Sequence, residues 1–532
     1  MADQSKVEVE SAEKGNTRLS ILLAMAMFVL VVDTSLMNVS ISAVVEDLGT
    51  TVSAVQGAIA LEALVSAAFI LINSKVGDLI GRKKAYVLGL CGYAIGAIAM
   101  TLTQSIYPVI IFWAIIGGLG ASLLLPSMQS LIHGNFEGKA QVKTYALVGA
   151  ATGIAAAVGP LLGGFITTYL SWRVGFLLEF VIIAIVLFNI KLVKDVPYTG
   201  PREVDLVGSV LSVLGMGGLV LSILVWQEGG EAVGILMAIG AVALFAFSRW
   251  LVSRKRQNKP ALIDPDLFKS KFFRLGISGQ MMQNIALGGT MIALPIYFQM
   301  VFEYTAMQTG LSIAPFSLSI FFIALLAGRR AGKQRPSRII QMGFAATLVG
   351  MALMIPLIPI ADTGLSFFIP LVIAGSGVGL LVSQLNNYTL SPISEERVSE
   401  AAGVNSASGS FGLSFGLAFA GAIMLAALAF SFNSMAQSST VLTPAQQDTV
   451  AVALEEDAQI MSDTALQEQL AGQPPEVQEE MLYINSESRF FALQVALLVP
   501  LIASLLGLIN SFRMVRMPDP EPVSSVEGLI GG

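Results

Sequence analysis

The 532-residue chain is 55% hydrophobic and 12% charged, with a mean hydropathy of +0.75, whereas an ordinary soluble domain carries about 25% charged residues. That balance excludes a water-soluble globule, and apolar runs that do not alternate with polar residues exclude transmembrane β-strands. The net charge of −6 carries little weight, because local charge placement governs how a chain sits in a membrane.

Met1 to Arg18 is rich in Glu and Lys. The apolar stretch after it is too long for a signal-peptide core and lacks a small-residue cleavage site, so it is expected to stay as the first crossing. A helix rising about 1.5 Å per residue needs roughly 20 residues to cross the hydrocarbon. Runs of that size predict helices at 19–42, 55–73, 85–104, 107–132, 144–168, 174–194, 206–226 and 233–252. Six more are predicted at 276–301, 306–328, 338–358, 365–390, 400–430 and 490–512. Cys91 is the only cysteine, so no internal disulfide can form.

Fourteen crossings put both termini on one side. Lys75, Arg82 to Lys84, Lys139, Lys143, Lys191, Lys194 and Arg202 fall there, as do the basic residues of 249–274 and 329–338, Arg397, Arg513 and Arg516. Only Arg173 and Arg489 fall opposite. The positive-inside rule then makes both termini cytoplasmic. The other side is acidic, with Glu46, Asp47, Glu228, Glu231 and Asp362. It also carries 431–489, a Gln-, Ser-, Glu- and Asp-rich segment read as an extracytoplasmic loop, within which 445–469 has the apolar spacing of an amphipathic helix.

Between the second and third helices stands V-G-D-L-I-G-R-K-K, Val76 to Lys84. Gly77 and Gly81 permit close backbone approach, Asp78 can accept charge-assisted hydrogen bonds, and Arg82 and Lys83 can donate them, so the turn suits a switchable ionic latch. The bland alternative is a basic turn that sets topology. The fifth helix carries G-I-A-A-A-V-G-P-L-L-G-G, with Gly153, Gly159, Pro160, Gly163 and Gly164. Small residues at helical spacing let a neighbouring helix pack closely, and Pro160 loosens the backbone ladder. Further marks are V-D-T-S-L-M-N-V-S-I from Val32, G-G-L-G-A-S-L-L-L-P from Gly117, A-L-P-I-Y-F-Q-M from Ala293, W-R-V-G-F from Trp172 and L-N-N-Y from Leu385.

Together these resemble the major facilitator superfamily, and within it the fourteen-helix drug:proton antiporter family of multidrug efflux type. The resemblance implies an all-α membrane protein: a cytoplasmic tail (1–18), an N-terminal six-helix bundle (19–194), a linker with two additional helices (195–275), a C-terminal six-helix bundle (276–512) interrupted by loop 431–489, and a cytoplasmic tail (513–532). Such bundles rock about a central cavity. The chain departs from relatives in lacking an arginine in helix four, where Ala114 stands beside Trp113, and in carrying Ser74, Gly57, Glu62 and Glu179 where other residues are usual.

Asp33, Glu62 and Glu179 lie well inside predicted helices. An acid at a helix centre costs about 2.5–3.5 kcal/mol on insertion scales, so it normally faces a cavity or a partner. Asp33 is read as the principal coupling acid, Glu62 as a second proton or substrate acid, and Glu179 as an acid more suited to a structural bond. Gln283, Asn284 and Asn387 can line the opposite wall or stitch helices together.

No Walker A motif supports ATP drive, and His133, the only histidine, supports neither a metal site nor a serine triad with G-L-S-F-G at 412–416. No cofactor is expected, the proton gradient supplying the energy. The partners expected are the lipid bilayer, a small-molecule substrate and protons, with no nucleic acid, for a monomer in a bacterial cytoplasmic membrane. The expected activity is proton-coupled export of small amphipathic, cationic compounds by a non-enzyme. Export of one lipid, siderophore or antibiotic, or a receptor or scaffold role, are the alternatives.

Overall fold

The computed structural model describes residues 2–136, 138–195, 205–227, 230, 232–329, 334–393, 395–443, 447 and 463–518, and every regular element among them is helical. In the first half these are α1 (Ala2–Val39), α2 (Ile41–Leu48), α3 (Val52–Ile80), α4 (Arg82–Leu102), a π-helical segment (Val109–Gly117) leading into α5 (Gly118–Asn135), α6 (Gly138–Tyr169) and α7 (Trp172–Phe188). The linker pair is α8 (Leu206–Gln227) and α9 (Val233–Arg256). The second half has α10 (Lys271–Met300), α11 (Ala306–Arg329), α12 (Pro336–Leu357), α13 (Phe368–Leu390), α14 (Glu395–Ser438), α15 (Asp463–Gln469), α16 (Pro475–Ala496) and α17 (Leu498–Val515).

Local chemistry sets these boundaries. The Thr51 hydroxyl accepts from the Ala54 amide at 3.1 Å to start α3, and Ser171 and Ser270 cap α7 and α10 in the same way. Gly81, at φ +101°, supplies a backbone conformation between α3 and α4 that a side chain would resist. Thirteen helices among the described residues are long and apolar enough to cross a membrane. α7, at 17 residues, sits at the short end of the spanning range of about 17–25.

Several boundaries differ from the sequence expectation. Residues 2–18, read as a tail, continue α1 as helix. α10 begins at Lys271, five residues before the expected start of the C-terminal bundle at 276. Most of all, loop 431–489 is shorter than expected: α14 runs on to Ser438 and α16 starts at Pro475. The polar residues at its two ends are compatible with helix, and hydropathy alone measures where lipid stops and not where helix does. Of the amphipathic stretch 445–469, Gln447 and 463–469 are described; in α15 Leu466 is buried, and the rest lies outside the described residues.

In the first half α1 packs on α6 and α7, α3 on α5, and α4 on α5 and α7. In the second, α10 packs on α14 and α17, and α13 on α11 and α12. The halves meet along two helix pairs, α6 with α11 and α3 with α14, and α8 covers the second seam. α8 and α9 pack backbone to backbone, a Cβ on Gly218 falling 2.8 Å from Gly240 Cα.

Candidate functional site

At the far end of the bundle, opposite the Arg82 turn, α1 breaks at Ser40. The break frees a carbonyl and an amide that must find partners, and both go to one side chain of the other half. Gln299 Nε2 donates to the Val39 carbonyl at 2.8 Å, and the Ser42 amide donates to Gln299 Oε1 at 3.1 Å. The Met307 amide donates to Thr168 Oγ1 at 2.9 Å at the same end, and deeper along the α3–α14 seam Ser414 Oγ donates to the Ala60 carbonyl at 2.7 Å. Toward the other end a small cleft lies between the halves, lined by Ile70, Leu125, Pro126, Gln129, Gly403 and Ser406.

The small residues singled out on α6 explain how the halves come so close. A Cβ on Gly159 would stand 2.6 Å from Ser35 Cβ, and one on Gly163 2.9 Å from Leu36 Cα, both on α1. Gly153 and Gly164 face α11, where a Cβ would meet the Phe321 ring at 2.8 Å and the Ala306 carbonyl at 2.5 Å. The Pro160 carbonyl faces Gly310, leaving only 2.3 Å for a Cβ there. One helix therefore touches α1, which carries Asp33, on one side and the other bundle on the other.

Asp33 is completely buried, six residues before the end of α1. The Trp113 indole donates to its Oδ1 at 3.0 Å and its Oδ2 at 3.1 Å, and the Tyr93 hydroxyl donates to Oδ2. Glu62 on α3 and Glu179 on α7 are buried within electrostatic reach of the same carboxyl. Glu179 Oε1 has no hydrogen-bond partner. Among the described residues no lysine or arginine pairs with any of the three acids. The two donors thus satisfy both oxygens of the Asp33 carboxyl. Nothing in the cluster compensates charge on Glu62 or Glu179, and an uncompensated buried ion costs several kcal/mol.

The three acids singled out in the sequence are thus brought together in the first half, while the amides belong to the second. Gln283 is buried with Oε1 unpartnered, and Asn284 donates to the Gln280 carbonyl of its own helix at 2.9 Å, facing Gly409 and Gly412. Asn387 is exposed, whereas its neighbour Asn386 accepts from Asn405 Nδ2 at 2.7 Å. Sequence reasoning missed Tyr93 and the role of Trp113; an aromatic residue with a polar tip in an otherwise apolar helix is the signal that points to such partners.

In the Val76–Lys84 turn, Arg82 is buried and donates to the Ser74 carbonyl at 3.3 Å. Gly77 packs 3.4 Å from Ser127 Oγ, measured from the Cβ it lacks. The partner that sequence did not find is Asp195, at the end of the first half. Its Oδ1 accepts from the Lys83 amide at 3.0 Å, capping α4, and its Oδ2 takes the space a Cβ on Gly81 would need, at 2.8 Å. The Asp78 side chain falls outside the described residues.

A sequence profile of the Major Facilitator Superfamily matches residues 23–206 and 204–417. The chain belongs to the Major Facilitator Superfamily. This Major Facilitator transporter is 29% identical to the puromycin resistance protein of Streptomyces alboniger over 428 residues, 76% of this chain and 82% of that protein. It is 27% identical to the multidrug export protein EmrB of Escherichia coli over 397 residues, 73% of this chain and 76% of that one. With the multidrug resistance protein Stp of Mycobacterium tuberculosis the identity is 26% over 419 residues, 77% of this chain and 76% of that one. Among solved structures, a bacterial homologue of the human lysosomal transporter Spinster, inward-facing and unoccupied, aligns with TM-score 0.59 at 12% identity, covering 94% of this chain and 98% of that one. A D-xylose–proton symporter aligns with TM-score 0.56 at 11% identity, covering 92% and 96%. At such identities the likeness is one of fold.

Proposed function

We propose that this transporter exports small amphipathic, cationic compounds across a bacterial cytoplasmic membrane in exchange for protons, crossing it fourteen times with both termini in the cytoplasm. The observation that carries the reading is the Asp33 carboxyl: fully buried, gripped by two uncharged donors, flanked by two further acids and paired with no cation. Similarity to a multidrug export protein, and to proteins named for multidrug and puromycin resistance, supports the direction of transport.

In this mechanism Asp33 binds either a proton or the positive charge of a substrate, never both. The far-end contacts through Gln299 and Thr168 close the path on one side, and they part when the halves rock. A protonated Asp33 has no charge to offer a cation, so proton uptake expels the substrate. Glu62 supplies a second carboxyl that adjusts which cations are held. Each charge moved across about 100 mV is worth about 2.3 kcal/mol, nearly fifty-fold in concentration ratio.

Vesicles reconstituted with the protein and given a pH difference test this. Asp33→Asn keeps the volume and loses the titrating group, so substrate-evoked proton flux is expected to vanish. Glu62→Gln is expected to keep flux while changing the substrates carried. Full flux in Asp33→Asn, with loss in Glu62→Gln, would pass the coupling role to Glu62. Similarity to a protein named for a single antibiotic favours a second reading, dedicated export of one compound; a panel of unrelated lipophilic cations separates the two, since a dedicated exporter moves at most one of them.

A further inference from the structure

Trp113 sits in a nine-residue π-helical segment, Val109–Gly117, which hands over to α5 at Gly118, whose amide reaches both the Ala114 and the Ile115 carbonyls. π-helical turns are rare and cluster at functional places. One residue of register is worth about 100° of rotation around a helix, so an α-helical path through the same residues would swing the Trp113 indole away from α1. The π segment therefore fixes which way the indole points. Trp113 is 3% exposed. Its ring packs edge-on against Phe176 at 6.3 Å, and Phe176 packs edge-on against Trp172 at 6.0 Å. Trp172 in turn donates to Asp47 Oδ2 at 3.0 Å, in the last turn of α2. The indole is held from behind as well as aimed from below.

An indole N–H stabilises an ionised carboxylate without cancelling its charge. A guanidinium at this place would form an ion pair and leave a cationic substrate little to bind. We infer that Trp113, oriented by the π-helical segment, is the positioning residue that sets the proton affinity of Asp33 and keeps its negative charge available to a cation. The inference rests on the coupling role proposed for Asp33. The other titratable groups facing that carboxyl are Tyr93 from α4, Glu62 from α3 and Glu179 from α7, while α6 presents Gly159 and Gly163 to the neighbouring turn.

The test is the pH profile of proton flux evoked by ethidium, a lipophilic cation, in vesicles reconstituted with full-length protein. Trp113→Phe keeps an aromatic ring and removes the N–H. A lost hydrogen bond to a charged group corresponds to a shift of about one to two pH units, so the midpoint of the flux is expected to move upward by that amount. At pH 7 the KM for ethidium is expected to rise roughly tenfold, as protons compete better, with kcat little changed. Should the phenylalanine variant not fold, 3-benzothienylalanine at position 113 replaces N–H by sulfur with nearly the same shape, and the same shift is expected. A profile superimposable on that of the unaltered protein in either variant overturns the positioning role. Absence of ethidium-evoked flux in the unaltered protein would instead overturn the export of lipophilic cations proposed above, on which the inference rests.

Discussion

Trp113, Trp172 and Trp250 each donate an indole N–H to an aspartate, respectively Asp33, Asp47 and Asp205. The ring fills apolar space and the N–H meets a group that needs a donor, which is the amphipathic use tryptophan suits. The two arginines that break the charge bias are likewise held by the protein: Arg173 pairs with Asp47 and donates to the Thr103 carbonyl at 2.7 Å, and Arg489 donates to the Met300 carbonyl at 2.9 Å. Asp33 was legible in the sequence because a charge amid apolar residues stands out; its partners were not, because Tyr93 and Trp113 lie 60 and 80 residues away and no local periodicity links them. Glu179 yields a prediction of its own. Its Oε1 is buried without a partner, a state that costs about 1–3 kcal/mol. Glu179→Met, similar in volume, should raise the unfolding temperature in detergent and leave proton flux intact; lost flux would make Glu179 a proton carrier.

At the scale of elements, helix positions were readable from hydropathy, thirteen of the fourteen expected spans being long and apolar enough to cross a membrane among the described residues, whereas helix ends were not, since α14 and α16 run beyond their apolar stretches. The π-helical segment left no mark in the sequence at all. Its apolar residues read as ordinary helix, and only the packing of Gly96 against the Phe112 carbonyl, with 3.0 Å available for a Cβ, and the pull of Asp33 on Trp113 distinguish it. The glycine-rich motif on α6 was readable as a close-packing surface, and glycines around it give graded expectations. Gly310→Ala puts a methyl 2.3 Å from the Pro160 carbonyl, so α6 and α11 must separate, at a cost of about 1–3 kcal/mol. Gly149→Ala meets nothing within 4 Å and gains helix propensity of about 1 kcal/mol. Thermal unfolding should therefore fall for the first and hold or rise for the second; equal behaviour would mean that the α6–α11 contact is not as tight as drawn.

For the whole molecule, the sequence motifs named the superfamily and its two-bundle plan, but not which end of the pathway is shut. That depends on contacts between residues more than a hundred positions apart, above all Gln299 with Val39 and Ser42. Gln299→Leu removes both hydrogen bonds and strands the polar groups freed at Ser40. The expected result is a population shift toward opening at this end, read as a longer spin-label distance between positions 46 and 362, both exposed there. An unchanged distance distribution would show that the apolar contacts close this end without the amide.

The two bundles are joined by one covalent leash, and both of its ends are nailed down. Asp195 is fixed to the Lys83 amide of the first half. Asp205 accepts from the Gly208 amide, the Trp250 indole and the Leu262 amide, which lie on the linker pair and on the approach to α10. Ten peptide steps separate these aspartates, and fully extended they reach about 35 Å. That length is the travel limit of the machine at this end. Removing either carboxylate pays out more rope without touching the pathway, so Asp195→Ala or Asp205→Ala should widen the range of openings sampled at the Arg82 end while the far end closes as before.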